Sequence, residues 1–350
     1  MAHEHDVVIV GGGMAGLATV RTLARDGRDV LLLEQFRLGH DRGSSHGSSR
    51  IVRLSHDDPS DVDRAQEAYR LWRELEAEVG EPLLKITGGL DLWDDLSRHE
   101  AALASHEVPF ELLDAPEIAR RFGICAPADV AGLFQPDGGI VLADLALRAF
   151  ARSAQAHGAT MLEEARVEAF EPQQDGVLVA STAGRHHAPV IVVAAGAWAK
   201  RLLDPLGIDV PVAVTRETVA YFRLPTGTKL PTLIESTATV HEAYALEAPR
   251  IGLKAAIHQT GVPADPDEPG RPDEVLVGRI ADWVAQRLPV DAAEPVVAET
   301  CLYTSTSDER FLQERHGRIV VGSACSGRGF KFAPHTGNVL AGLACEVLAT

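Results

Sequence analysis

The sequence predicts an α/β protein that opens with a strand, a glycine turn, a helix and a second strand. Residues 6–10 form an apolar run typical of a buried parallel strand, and the glycine-rich segment 11–16 follows at once. Apolar residues then recur at helical spacing until Gly27, where a helix commonly ends. Residues 29–33 form a second apolar run that ends in Glu34. This order of elements is the Rossmann-like dinucleotide-binding unit.

The glycines and the acid of this unit each have a physical role in holding a nucleotide. Gly11 permits the tight turn, Gly13 lets the backbone approach a pyrophosphate, and Gly16 lets the helix pack on the strand. The pyrophosphate then lies against unpaired N–H groups at the positive end of the helix. Glu34 is placed to bind the hydroxyls of the adenosine ribose. The unit predicts a cofactor that contains ADP and leaves FAD and NAD open. Its place ahead of any substrate domain favours FAD.

Composition argues against several classes of function. The 350 residues carry a net charge of −17 at pH 7, which would repel the phosphates of a nucleic acid or an anionic membrane. No apolar stretch approaches the ~20 residues of a transmembrane helix, and no signal-peptide core precedes the first glycines. The cysteines lack CxxC spacing, so we expect neither a metal site nor a disulfide framework. We expect a cytoplasmic protein.

The remaining elements indicate a second domain, because single cores stop growing at about 250–300 residues. The sequence predicts helices over 65–79, 116–122, 142–157, 273–288 and 336–348. It predicts strands over 88–93, 190–198, 251–258, 296–304 and 319–324, with strand-rich segments at 212–223 and 232–246. We expect a discontinuous nucleotide-binding domain in 1–82, 143–208 and 302–350. A second, α+β domain built on a mixed sheet would take 83–142 and 209–301.

A basic loop after the nucleotide unit is the first candidate for chemistry. His46, Ser49, Arg50 and Arg53 lie in or directly after a glycine- and serine-rich segment. A solvated basic loop is one interpretation. The other is that the two guanidinium groups present forked donors to a substrate carboxylate or to the carbonyls of a flavin ring.

Alternation along a predicted strand brings two ionisable side chains together. If residues 251–258 are extended, Lys254 and His258 share a face with Gly252 and Ala256. Because the two companions are small, this face leaves room for a ligand. An exposed strand face is the alternative.

Two late segments carry the other candidates. Cys301 and Tyr303 lie two residues apart on a predicted strand. A buried cysteine is most often a small hydrophobic residue, which is the alternative to a functional role. Gly327 and Gly329 would let the backbone approach a flat ligand, and Lys331 adds a positive charge there. An ordinary glycine loop before a helix is the alternative.

Together these segments resemble the monomeric sarcosine oxidase and N-methyl-tryptophan oxidase family, within the D-amino-acid-oxidase-like flavoproteins. The most specific motifs are Cys-x-Tyr-Thr-x-Thr-x-Asp-Glu-x-Phe, which starts at Cys301, and Ser-Gly-x-Gly-Phe-Lys-Phe, which starts at Ser326. The resemblance spans nearly the whole chain, through segments 11–34, 46–53, 88–92, 137–147, 190–198, 252–258, 301–311 and 326–332. It implies a Rossmann-like FAD-binding domain of the glutathione-reductase type.

The resemblance implies a role near the flavin for several candidates. Cys301 would carry FAD covalently, as a thioether to the 8-methyl carbon. Lys254 would activate oxygen beside flavin N5. His46, Ser49 and Arg50 would lie near the flavin ring, with serine at a position where threonine is common.

The resemblance also implies a substrate pocket. Arg53 and Lys331 match the pair that holds the substrate carboxylate. His258 matches an active-site histidine, and Tyr303 and Tyr244 match pocket tyrosines.

The implied reaction oxidises the C–N bond of a secondary or cyclic amino acid to an imine. A hydride passes to flavin N5 and O2 is reduced to H2O2 by a protein expected to be a monomer. The alternatives are a biosynthetic oxidase of a cyclic imino acid, such as proline, pipecolate or a piperideine carboxylate, and a flavin subunit without turnover. Arg328 stands where the family has histidine, and segment 243–246 has fewer aromatic residues, which favours a substrate bulkier than sarcosine.

Overall fold

The computed structural model describes residues 2–290, 292–323 and 325–350. Over these residues the helices are α1 (Met14–Arg25), α2 (Pro59–Val79), α3 (Ser97–Ser105), α4 (Ala115–Phe122), α5 (Ala143–Ala156), α6 (Ala199–Leu203), α7 (Glu274–Arg287) and α8 (Ala333–Leu348). Short 3-10 turns lie at Gly196–Trp198, Asp204–Leu206 and Phe330–Phe332. Within the described residues, no helix has both the length and the apolar character needed to cross a membrane.

The strands of the first half are β1 (His3–Glu4), β2 (Val7–Val10), β3 (Val30–Leu33), β4 (Arg50–Val52), β5 (Leu84–Ile86), β6 (Gly89–Trp93), β7 (Glu111–Leu113), β8 (Gly132–Gln135), β9 (Gly139–Val141), β10 (Thr160–Leu162) and β11 (Val167–Pro172). Those of the second half are β12 (Val177–Ser181), β13 (Gly184–Ala188), β14 (Val190–Val193), β15 (Ala213–Phe222), β16 (Thr232–Thr237), β17 (Val240–Ala248), β18 (Gly252–Ile257), β19 (Val262–Pro263), β20 (Val297–Ser305), β21 (Leu312–His316) and β22 (Ile319–Ser323).

The glycine turn lies at the end of a strand in a sheet of order β10-β3-β2-β14-β22-β21. The strands pair in parallel as far as β22, and β21 closes the edge antiparallel. Every residue of β2, β3 and β14 is buried, as expected for a parallel sheet covered on both faces. Helices α1, α5 and α8 cover one face, and the antiparallel strands β11, β12 and β13 cover the other.

The second large sheet is mixed, with the order β19-β15-β18-β17-β16-β6-β8-β7 and with β20 paired along β15. Strands β6 and β16 are parallel, and their neighbours run antiparallel. Helix α7 packs on β15 and β18. The predicted α/β fold class is therefore confirmed, while the residue bounds of the two domains stay a prediction. Residues 302–305, assigned above to the first domain, pair within this second sheet.

Helix α2 begins earlier than its apolar spacing predicts. The sequence places its start near residue 65, whereas the helix starts at Pro59. The carboxylate of Asp58 accepts a hydrogen bond from the N–H of Ser60 at 2.9 Å, and proline suits the first helical position. The capping pair therefore extends the helix across a polar first turn.

One predicted strand ends earlier in the structure, and a second is described up to the residue before its predicted end. The strand predicted over 190–198 stops at Val193, and a 3-10 turn follows at Gly196–Trp198. The strand predicted over 319–324 is described through Ser323, and Ala324 lies outside the described residues. Both strands end at the carboxyl edge of the parallel sheet, where nucleotides bind in open α/β folds.

Candidate active site

A cavity of about 340 Å³ runs from the glycine turn at the end of β2 to the mixed sheet. Most of the site residues predicted from the sequence line it, namely Gly11, Gly13, Glu34, Ser49, Arg50, Arg53, Tyr244, Lys254, His258, Cys301, Tyr303, Gly327, Gly329 and Lys331. Gly16 and His46 are buried next to lining residues. Residues far apart in the chain are thus brought to one cavity.

The glycine turn makes contacts that a side chain would prevent. Gly11 has a φ of +107°, and a Cβ there would lie 2.5 Å from the carbonyl oxygen of Ala194. A Cβ on Gly16 would lie 1.9 Å from the carbonyl oxygen of Gly11. Helix α1 therefore approaches the turn this closely only with glycine at position 16.

We expect Gly16→Ala to lower the free energy of unfolding by about 1–3 kcal/mol or more and to reduce flavin content, because the methyl group would push α1 off the turn. The matched control is Gly278→Ala in α7, where an added Cβ meets nothing within 4 Å. That change should be neutral or slightly stabilising. Thermal unfolding of both variants, with the flavin absorbance of each, checks this; equal stability of the two would contradict the steric argument.

Glu34 lies at the end of β3 and its side chain is buried against the turn. One carboxylate oxygen accepts a hydrogen bond from the N–H of Gly12 at 2.6 Å, and the other from the N–H of Phe36 at 2.8 Å. The hydroxyl of Ser45 accepts from the N–H of Met14, in the first turn of α1, at 3.1 Å. The acid is therefore held beside the helix N-terminus and faces the cavity.

These residues fit the ADP part of a flavin cofactor. The bare backbone at Gly11, the N-terminus of α1 and the carboxylate of Glu34 meet in one cavity. The same cavity continues to Lys254 and Cys301, which gives a planar ring a place beyond the pyrophosphate.

Lys254 and Arg50 place two cations at the inner end of the cavity. Lys254 on β18 is only 5 % exposed, and its burial, followed by the positive charge of Arg50, lowers the pKa of its ammonium group to about 7. Arg50 is held by its own loop, since its guanidinium donates to the backbone carbonyls of Ser44, His46 and Ser49. Burial, and then Arg50, lower the pKa of the His46 imidazole. The basic loop is therefore folded inward instead of being solvated.

A group of aromatic and sulfur side chains forms the next part of the wall. Cys301 lies opposite Glu217 in the β15–β20 pair, and burial raises the pKa of its thiol. The hydroxyl of Tyr303 lies 3.3 Å from Nδ1 of His258. Burial lowers the pKa of the His258 imidazole, and its buried Nε2 has no hydrogen-bond partner among the described residues. Tyr244 is half-buried here, and desolvation raises the pKa of its phenol.

The loop after β22 packs tightly on this wall. A Cβ on Gly327 would lie 2.3 Å from the ring of Tyr303, and one on Gly329 would lie 2.4 Å from Cβ of Cys325. Both glycines are therefore required by protein contacts, independently of any ligand.

Arg53 and Lys331, the predicted carboxylate pair, both line the cavity but differ in their partners. Arg53 donates to the buried carboxylate of Asp91 at 2.9 Å. Lys331 is 8 % exposed and donates to the backbone carbonyl of Arg328 at 3.3 Å. Burial, and then the charges of Arg53 and Arg328, lower the pKa of the Lys331 ammonium group to about 7. Lys331 is thus a buried cation without a carboxylate partner among the described residues.

Sequence reasoning missed several charged neighbours of this pair. Asp91 binds Arg53, and Asp61 on α2 binds Arg328 at 3.2 Å. His56 is fully buried with its ring 5.4 Å from that of Phe332, and burial holds its pKa well below the ordinary value. The sequence offered one signal for these neighbours, namely Asp91, a carboxylate in the middle of the otherwise apolar run of β6.

Comparison with known proteins decides the family. The model of the family described as DAO, FAD dependent oxidoreductase, matches residues 6–343. This chain belongs to that family. The peroxisomal sarcosine oxidase of Homo sapiens is 34 % identical over 96 % of this chain and 90 % of its own length. The monomeric sarcosine oxidase of Bacillus sp. (strain B-0618) is 30 % identical over 98 % of this chain and 93 % of its own length.

Solved structures agree with this assignment. The open form of NikD, described as an unusual amino acid oxidase essential for nikkomycin biosynthesis, has a TM-score of 0.90, with 30 % identity over 99 % of this chain and 95 % of that chain. The L-proline dehydrogenase of P. horikoshii has a TM-score of 0.88 at 21 % identity, over 99 % of this chain and 94 % of its own, and so supports the fold alone. The resemblance to the sarcosine oxidases is therefore confirmed, and the cofactor of the family is FAD.

Proposed function

We propose that this protein is an FAD-dependent oxidase of secondary amino acids of the N-methyl type. It converts the C–N bond of the substrate to an imine and reduces O2 to H2O2. The observation that supports this most strongly is the continuous cavity that joins the nucleotide cradle to Lys254 at one point and to Arg53 and Lys331 at another. The sarcosine oxidases among the relatives favour this substrate class over the cyclic imino acids and over a subunit without turnover.

FAD, when bound, would accept the hydride from the carbon that bears the nitrogen, with the two electrons of that C–H bond, and would pass the electrons on to oxygen. Gly11, the N-terminus of α1 and Glu34 would hold its ADP part. Lys254 would hold a positive charge where negative charge develops on oxygen, which is the electrostatic form of catalysis.

Substrate positioning would come from two further basic side chains that line the cavity. Lys331, which lacks a carboxylate partner among the described residues, would bind the substrate carboxylate together with the free N–H groups of Arg53. The reacting amine must be neutral, and neighbouring cations favour loss of its proton. His258 has a lowered pKa, and its Nε2 has no hydrogen-bond partner in the part of the chain that the structure describes, so it is suited to take that proton.

We also propose that the protein acts as a monomer in the cytoplasm on a small amine and molecular oxygen. A monomeric form is named among the relatives, whereas the name of the human relative places that protein in the peroxisome. Size-exclusion chromatography with light scattering tests the first statement, and fractionation of the native host tests the second.

The direct test is a peroxide-coupled assay of the purified yellow protein with sarcosine, N-methyl-L-alanine and larger N-methyl amino acids. We expect stoichiometric H2O2 and bleaching of the flavin under anaerobic conditions. A flavin that no secondary amino acid bleaches would overturn the proposal. Bleaching without peroxide in air would instead indicate an acceptor other than oxygen.

We propose that Cys301 carries the flavin covalently, and we expect Cys301→Ser to release all of it on acid precipitation, while the wild-type pellet stays yellow. Cys325→Ser is the matched control, because Cys325 lines the same cavity and burial raises the pKa of its thiol also. Its pellet should stay yellow. If Cys325→Ser released the flavin and Cys301→Ser did not, the covalent bond would belong to Cys325. A colourless wild-type pellet would exclude covalent attachment.

A further inference from the structure

The wall that holds Lys331 carries more positive charge than one substrate carboxylate requires. Arg53, Arg328 and Lys331 all line the cavity, and the charges of both arginines act on the Lys331 ammonium group. The backbone carbonyl of Arg328 also accepts the hydrogen bond from that ammonium group at 3.3 Å. The three cations therefore lie within one small region of the pocket.

The carboxylates in contact with this region do not balance it. Asp91 pairs with Arg53, but Asp61 pairs with both Arg328 and Arg64. One protein carboxylate is therefore shared by two guanidinium groups. Lys331 forms no ion pair within the described part of the chain.

The other titratable groups near this wall leave that imbalance in place. Burial lowers the pKa of His56 and of His99, so both imidazoles are neutral at pH 7. Glu242 lines the cavity from β17, and its negative charge acts on both His258 and Lys331, but it forms no ion pair with Lys331 among the described residues. The carboxylate of Glu309 accepts from the amide of Gln259 at 2.9 Å.

Arg328 has donors left for a ligand. Its two terminal nitrogens each donate once, to Asp61 at 3.2 Å and to the backbone carbonyl of Glu309 at 3.2 Å. A guanidinium has five N–H donors in a planar fork that suits a carboxylate. These contacts fix the side chain from α2 and from the loop before β21, so it is presented to the cavity in an ordered position.

We propose that the preferred substrate carries two acidic groups, with its α-carboxylate on Arg53 and Lys331 and a second carboxylate on Arg328. This inference rests on the proposed oxidase function for the identity of the reacting amine. The chemical class is a secondary amino acid with an acidic side chain, such as an N-methyl derivative of aspartate or glutamate. Arg328 is then the residue that determines specificity.

Turnover by the holoenzyme tests this with isosteric substrates. We expect kcat/KM for N-methylaspartate or N-methylglutamate to exceed that for N-methylasparagine or N-methylglutamine by about tenfold or more, as for a charge-assisted hydrogen bond. Both enantiomers of each should be assayed. In Arg328→Met the preference should disappear, and in Arg328→Lys part of it should remain. Arg64 stays as the partner of Asp61, so Arg328→Met leaves no unpaired carboxylate.

Arg310→Met is the matched control. Arg310 lies in the loop between β20 and β21, and its side chain is 83 % exposed and paired with Asp308. It should keep the full preference for the acid. Equal kcat/KM for acid and amide in the wild type would overturn the inference, as would a preference that survives Arg328→Met. Retained turnover of the neutral amides by Arg328→Met shows that the variant is folded.

Binding of diacids that carry no amine separates this inference from the oxidase proposal. We expect the holoenzyme to bind glutarate at least about tenfold more tightly than glutaramate, its monoamide, in calorimetric titrations. Preference for glutarate without oxidation of any N-methyl amino acid would support the anion site and overturn the oxidase. Rapid oxidation of N-methyl amino acids with equal binding of both probes would support the oxidase and overturn the second anion site.

Discussion

Lys254→Met is expected to slow the reaction of the reduced enzyme with oxygen by about 100- to 1000-fold, the usual effect of removing a group that stabilises developing negative charge. Reduction of the enzyme by substrate should change little, because the carboxylate-binding side chains Arg53 and Lys331 are untouched. Methionine fills a similar volume in a site where the ammonium group is only slightly exposed. Stopped-flow measurement of the two half-reactions separates the effects.

Lys200→Met is the control for the loss of one positive charge. The side chain of Lys200, in α6, is 44 % exposed and binds Asp204 at 3.0 Å. Its replacement should leave both half-reactions at wild-type rates. Unchanged reoxidation in Lys254→Met would remove the role assigned to this lysine, and equal slowing of both half-reactions would point to a disturbed site instead.

The pKa of Lys254 gives the same prediction a pH dependence. Because burial lowers that pKa to about 7, the ammonium group is charged below this pH and neutral above it. The rate constant for oxygen should therefore fall as the pH rises through 7, and an anion bound beside the lysine would move the fall to higher pH. In Lys254→Met this fall should be absent.

The parts of the fold that could be predicted are those encoded by short-range pattern. Apolar runs before and after the glycine turn gave β2 and β3, and Gly27, with a φ of +77°, follows the end of α1 as expected. The start of α2 was missed because its first turn is polar, although the cap formed by Asp58 and Pro59 was readable in the sequence.

The candidate site likewise has features that the sequence predicts and features that only the structure shows. Lys254 and His258 could be placed together because alternation along a strand is a local property. The pairing of Arg53 with Asp91 depends on the position of β6, which lies parallel to β16 in the middle of the mixed sheet. Strand order at this range leaves no mark in a single sequence, so the partners of the cations required the structure.

Arg53 is paired with Asp91, whereas Lys331 has no carboxylate partner among the described residues. We therefore expect Arg53→Met and Lys331→Met to have similar effects on activity and opposite effects on stability. Both should lower kcat/KM for an amino acid substrate by about 100-fold or more, because each removes a charged hydrogen-bond donor that would bind the carboxylate of the substrate. If the pair only binds the substrate, the lower kcat/KM should come mainly from a higher KM. If the pair also orients the reacting C–H bond, kcat should fall as well. Steady-state kinetics of both variants on one substrate makes the comparison.

Stability should separate the two variants. Arg53→Met leaves the carboxylate of Asp91 buried and unpaired, which costs about 3–5 kcal/mol. Lys331→Met removes a buried ammonium group with a pKa lowered to about 7, so the unfolded chain binds its proton more tightly than the folded protein does. The wild type is therefore penalised at and below pH 7, and this penalty fades as the pH rises toward 10.5.

Denaturant unfolding without substrate, at pH 7 and at pH 9.5, measures both effects. We expect Lys331→Met to be more stable than the wild type at pH 7, with a smaller gain at pH 9.5. Arg53→Met should be less stable at both values, and Arg53→Met/Asp91→Leu should recover part of the loss, because the double change leaves no unpaired charge. If Lys331→Met were destabilised as strongly as Arg53→Met, Lys331 would be a structural residue, and its binding of the substrate carboxylate would need a different explanation.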